Sequence, residues 1–218
     1  MFLGHYGVAF AARRSAPRTS LGSTVFAAQF LDELWPILLL AGVEQVRVVP
    51  GLMAASALDF VSYPISHSLL MAIVWGTVIG LAYFAVRRYG RGAWVLALAV
   101  VSHWFLDLPM HRPDLPLWPG ASTRVGLGLW NSITATVIIE LALLAIGLAL
   151  YVRGTRARDG IGRWALWIMV ALLVAIFLTG LRGAPPDAHT IAISTLGLWL
   201  FVPWGWWIDR HRESVNAT

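Results

Sequence analysis

The stretch LGLWNSITATVIIELALLAIGLALY, residues 127–151, carries one ionisable side chain, Glu140, in an otherwise apolar run. A helix of that length rises roughly 37 Å at 1.5 Å per residue, enough to cross a hydrocarbon core about 30 Å thick. Five further runs of the same kind fall near residues 21–42, 65–86, 92–110, 163–181 and 188–208. With 58% hydrophobic and 12% charged residues, the chain reads as an all-α, polytopic transmembrane helix bundle of about six spans. Residues 1–12 are apolar but too short to cross, and no small-residue cleavage site follows them. They are read as a retained, re-entrant half-helix. A single transmembrane domain is expected over 1–218, with the polar residues in 1–151 and a two-helix scaffold plus short tail in 152–218.

The net charge of +5 rests on sixteen basic residues, all of them arginine. Cytoplasmic loops collect such charge. With the N-terminus inside, Arg13, Arg14, Arg18, Arg87, Arg88, Arg91, Arg153, Arg156, Arg158, Arg163, Arg210 and Arg212 lie on the cytoplasmic side, and only Arg47, Arg112, Arg124 and Arg182 lie outside. Trp94, Trp164, Trp204, Trp206 and Trp207 fall where an inner aromatic belt would sit. Both termini are therefore expected in the cytoplasm. Arginines that follow span ends argue against nucleic acid as a partner and for the lipid bilayer. No cysteine is present, so any transition-metal site must use imidazole and carboxylate.

His103 and Asp107 are four residues apart within an apolar run, which puts them on one helix face. Ionisable groups in hydrocarbon are costly unless they pair, bind an ion or face water. Counting from the arginine-marked ends, His103 and Glu140 lie roughly 20 Å in. Asp107 is one turn further, Asp32 reaches a similar depth, and His67 is nearer the outer surface. His5 joins them if the half-helix inserts. Of the adjacent pair Asp32 and Glu33 only one can face the site, and Asp32 is preferred; Pro36 should disturb their helix. Ser132, Thr136 and Glu140 form an i, i+4 stripe, with Glu140 either lining the cavity or paired to an arginine. His111 and Asp114 read as solvated loop residues, His189 and His211 as loop and tail. Each group also has a structural explanation, His103 and Asp107 as a pair joining two helices and His67 as an interfacial cap.

Imidazoles and carboxylates together favour a divalent cation, Zn²⁺ first, Mn²⁺ or Fe²⁺ otherwise. A cation there lowers the pKa of a coordinated water, and a nearby carboxylate can serve as base, so hydrolysis is the favoured chemistry. Asp107, Glu140 and Glu33 are the candidate catalytic carboxylates.

The order Gly4-His5, an acidic turn at Asp32, Ser66-His67-Ser68-Leu69-Leu70, and Ser102-His103 followed by Asp107 and a Leu-Pro-Leu-Trp-Pro tail resembles the YdjM-like family, bacterial inner-membrane proteins described as predicted membrane-bound metal-dependent hydrolases. The resemblance covers roughly residues 4–120. It implies His5, Asp32, His67, His103 and Asp107 as metal ligands. Two turns differ from the family pattern. Leu31-Asp32-Glu33-Leu34-Trp35 stands where the family shows Pro-Asp-x-Asp-His, and Ser62-Tyr63-Pro64-Ile65-Ser66-His67-Ser68 lacks the histidine and arginine that open the family's His-Arg-Gly-x-Thr-His-Ser run. These differences weigh against a two-metal site. The expected function is metal-dependent hydrolysis of a phosphoester in a lipidic or amphipathic substrate. The alternatives are a divalent-ion or proton-coupled transporter and a non-enzymatic membrane scaffold.

Overall fold

The computed structural model describes residues 1–215. The chain opens with α1 (Leu3–Ser15) and α2 (Leu21–Leu40), then a hairpin of β1 (Gln45–Val48) and β2 (Leu58–Ser62). One helical turn, α3 (Pro64–His67), leads into α4 (Leu69–Arg87) and α5 (Gly90–Met110). The short ribbon of β3 (Leu115–Pro116) and β4 (Arg124–Val125) precedes α6 (Ile133–Gly154), β5 (Thr155–Ala157) and α7 (Gly160–Gly180). The chain then runs through α8 (Ala188–Leu196), a 3₁₀ turn, α9 (Phe201–Arg210) and β6 (Arg212–Ser214). Among the described residues, six segments are long and apolar enough to cross a membrane: α2, α4, α5, α6, α7 and the broken α8–α9 pair.

All the spans but α5 begin at a side-chain cap that stops the helix from extending further. Ser68 accepts from the Met71 amide, so the second span starts at Leu69, and His67 belongs to a separate turn before it. Ser132 accepts from the Ala135 amide, so residues 127–132 form a loop and a 3₁₀ turn rather than the first turns of α6. Outside the helices, exposed Leu81, Leu98, Ile138, Ile146 and Ile168 give the bundle the apolar exterior that lipid requires. Pro36 lies inside α2, and the helix runs through it. The Trp199 indole donates to the Glu33 carbonyl at 3.2 Å beside this interruption.

α1 sits within the bundle, packed against α6, α2 and α5. Thirteen residues span about 20 Å, too short to cross, so both ends must be satisfied by protein. At the N-terminal end the Phe2 and Gly4 amides each donate to Glu140 at 2.8 Å, which places a carboxylate at the positive end of the helix. Glu140 therefore pairs with backbone, not with an arginine. At the other end, Arg13 donates from Nε to Asp209 at 3.2 Å and from Nη1 to the Pro17 carbonyl at 2.7 Å. Close approach along the middle depends on two glycines: a Cβ on Gly147 of α6 would lie 1.9 Å from the Gly7 carbonyl oxygen of α1.

Two connections fold beyond what their composition suggests. The long segment after α2 forms the β1–β2 hairpin, whose tip is tied by the Ala55 amide to the Trp130 carbonyl at 2.8 Å. The basic turn after α6 contributes β5, which pairs antiparallel with β6 of the tail, Thr155 opposite Ser214.

Candidate metal centre

Four elements converge where α1, α2, α3 and α5 meet. His5 comes from α1, Asp32 from α2, His67 from α3, and His103 and Asp107 from one face of α5. His67 Nε2 lies 3.4 Å from Asp32 Oδ1 and 3.9 Å from Asp107 Oδ2. His103 Nε2 lies 3.7 Å from Asp32 Oδ1 and 3.3 Å from Asp107 Oδ2. Donors about 2.0–2.1 Å from a tetrahedral cation would be about 3.3–3.4 Å apart, close to these separations. His103 Nε2 is fully buried and hydrogen bonds to neither carboxylate. Two groupings could hold a metal ion, His5 with His103 and Asp107, and Asp32 with His67 and His103.

The outer nitrogens of the rings are held from behind. His103 Nδ1 donates to the Ala28 carbonyl at 2.8 Å. His67 Nδ1 donates to Ser66 Oγ at 2.7 Å, and that hydroxyl donates to Glu44 Oε2 at 2.6 Å. Glu44 is itself fixed by the Ile65 and Ser66 amides, both at 2.8 Å. With Nδ1 protonated and engaged, each ring presents the Nε2 lone pair to the centre, the arrangement by which a hydrogen-bonded partner sets the tautomer of a metal-binding histidine.

His5 occupies a different position. Its ring stacks on His103 with centroids 3.5 Å apart, and its Nε2 lies 3.2 Å from Asp107 Oδ1, which the first backbone nitrogen of the chain also reaches. Two imidazolium cations stacked so closely would repel strongly, so at most one of the two rings can carry a positive charge. Asp107 is thus shared: Oδ1 faces the α1 end, and Oδ2 faces His67 and His103.

His111 and Asp114 differ from their reading as solvated loop residues. Both are buried, because the β3–β4 ribbon and Trp130 fold over them. His111 Nε2 lies 4.0 Å from Asp107 Oδ2, while its Nδ1 donates to Asp114 Oδ1 at 2.9 Å and Tyr63 donates to the same oxygen at 2.8 Å. Burial lowers the pKa of the His111 imidazole, favouring the neutral ring. The i, i+4, i+8 spacing of residues 103, 107 and 111 puts His111 in register with the pair, but its burial at the end of α5 depends on the fold. Glu44 had no such signal, since only the fold brings β1's approach to α3.

The remaining candidates lie outside this convergence. Glu33 is wholly buried with both carboxylate oxygens unpartnered, turned from Asp32 by the helical step. Glu140 has its oxygens on the α1 amides, and Thr136 one turn away is also buried. His189 is exposed, and His211 donates to Asp159 at 2.7 Å at the start of α7.

A family model described as YdjM inner membrane protein matches residues 2–183, well past the 4–120 over which the motifs run. The chain belongs to this family. The match takes in α1 through α7, so every element that supplies the centre lies within it, whereas α8 and α9 lie beyond. Membership and the six apolar helices together make this an inner membrane protein. No curated protein and no solved structure matches the chain.

Proposed function

We propose that the protein is a membrane-embedded, metal-dependent hydrolase that cleaves a phosphoester. The observation that carries this reading is the set of four converging donors with their histidine tautomers fixed from behind. His67, His103, Asp32 and Asp107 would hold the cation. The donor set, two imidazoles and two carboxylates without thiolate, suits Zn²⁺, with Mn²⁺ or Fe²⁺ as alternatives. When bound, such an ion supplies Lewis acidity and a water of lowered pKa.

The chain's own groups divide the remaining work. Asp32, the most accessible of the four, borders the cavity beside the centre and is placed to meet substrate. His5 holds Asp107 Oδ1, keeping Oδ2 turned to the histidines. Glu140 positions α1, and through it His5. His111 at the cavity wall, backed by Asp114, can hold a proton-bearing group of the substrate at Nε2.

A transport reading has less support, because it needs a polar path through the other half of the bundle. At the opposite end of the bundle, Asp209 already accepts from Arg13, the Leu21 amide and Tyr151. We assign the arginine-rich end to the cytoplasm, which puts the centre in the outer half of the membrane.

Elemental analysis of purified protein after dialysis against a weak chelator tests the proposal. Wild type should retain about one equivalent of cation, and His67→Ala and His103→Ala should lose it together with hydrolysis of phosphoester substrates. Wild-type protein that stays metal-free after reloading would overturn the reading.

A further inference from the structure

The centre opens into a cavity of about 530 Å³, within the range of about 300–1,000 Å³ typical of small-molecule sites. Its two ends differ chemically. At the inner end lie Asp32, His67, Asp107 and His111. Beyond them the walls are Trp35, Ile176, Phe177, Ile191 and Leu198, and no ionisable side chain borders this part except Glu140, whose oxygens are already engaged.

The cavity exists because consecutive helices part company. α6 packs chiefly on α1, and α7 packs on α9, although a short basic turn joins them at the inner end. Toward the outer end the space between them is unfilled, with Thr136 on one side and Ile176 and Thr179 on the other. Ile176, Thr179 and Ser194 border the cavity and are also exposed on the bundle surface, so it opens sideways between spans. Above, residues 55–58 at the β1–β2 tip border the cavity and are tied to Trp130, which narrows the aqueous approach. A water-soluble ester would meet an apolar, laterally open slot, whereas a bilayer lipid would slide in with its chain already in hydrocarbon.

We infer that this cleft between α6 and the α7–α8 pair seats a phosphate-headed bilayer lipid, its headgroup at Asp32 and His67 and one hydrocarbon chain along Ile176, Phe177 and Leu198. The inference rests on the hydrolase reading for the cation that would let an anionic phosphate lie beside Asp32 and Asp107 and for what happens to the lipid, but the apolar seat of the hydrocarbon chain is independent of it. It also gives α8, which lies beyond the family match, a part in selecting the substrate.

The test uses full-length protein in lipid nanodiscs, with phosphatidic acid carrying a photoactivatable diazirine near the end of one acyl chain. Peptide mapping should find label concentrated on residues 176–181 and 191–198, several-fold above lipid-facing Leu81 and Leu98. A matching diacylglycerol probe, which lacks the phosphate, should label the cleft several-fold less. Ser194→Trp, which fills the opening, should reduce cleft labelling without changing metal content. Label spread evenly over the exterior, equal labelling by both probes, or labelling indifferent to Ser194→Trp would each overturn the assignment. The two readings fail separately: metal-free wild type with cleft labelling removes the hydrolase but keeps the lipid seat, and metal-bound wild type with even labelling does the reverse.

Discussion

His67 is the most instructive side chain in the centre, because its orientation is set by residues that bind nothing themselves. The chain Glu44–Ser66–His67 fixes which ring nitrogen bears the proton and which faces Asp32. Removing such a supporting hydrogen bond typically weakens a metal site by about 10–100-fold. Ser66→Ala should therefore lower cation affinity by roughly that factor, measured by competition with a chromophoric chelator, while helical content stays unchanged. Ser66→Thr, which keeps the hydroxyl, should restore most of it. Equal affinity in all three proteins would mean that His67 does not bind through Nε2. The pairing of His103 with Asp107 was legible from their spacing alone. The place of His111 was not, since its burial depends on Trp130 and the β3–β4 ribbon closing over the end of α5.

α1 shows how an element too short to span can be held at membrane depth. Its amides are capped by Glu140, its last turn is bound to Asp209 through Arg13, and its flank meets α6 at Gly7 and Gly147 with no room for a side chain. Length and apolarity indicate a half-helix, but the cap and the glycine contact join residues more than a hundred positions apart and carry no local signal. Gly147→Leu should force α1 off α6. Overpacking of this kind costs about 1–3 kcal/mol or more, and because α1 carries His5, melting temperature in detergent and metal content should fall together. Gly197→Ala, where a Cβ meets nothing within 4 Å, should leave both unchanged. A Gly147→Leu protein with wild-type melting and metal content would show that α1 does not need this contact.

Across the whole bundle, polar chemistry gathers at one end and arginine at the other. The arginine-rich end is also pinned by tertiary contacts: β5 pairs with β6, and Arg212 donates to the Gly162 carbonyl at 2.8 Å and to Thr155 Oγ1 at 3.0 Å. With this end in the cytoplasm, a C-terminal fluorescent protein should mature and glow in cells, and a C-terminal alkaline phosphatase should stay inactive; the opposite pattern would turn the centre toward the inner leaflet. Class and span number were readable from composition and periodicity, because each depends on transfer of single segments between water and lipid. The same local reading found five of the side chains that meet, since ionisable groups in apolar helices stand out one by one. Only the tertiary structure decided that His111 and Glu44 join them. It alone also showed that α6 and α7 separate to leave a cleft, because these outcomes depend on which helix faces pack together, and in lipid that choice is made by shape and hydrogen bonding between distant segments rather than by hydrophobicity along the chain.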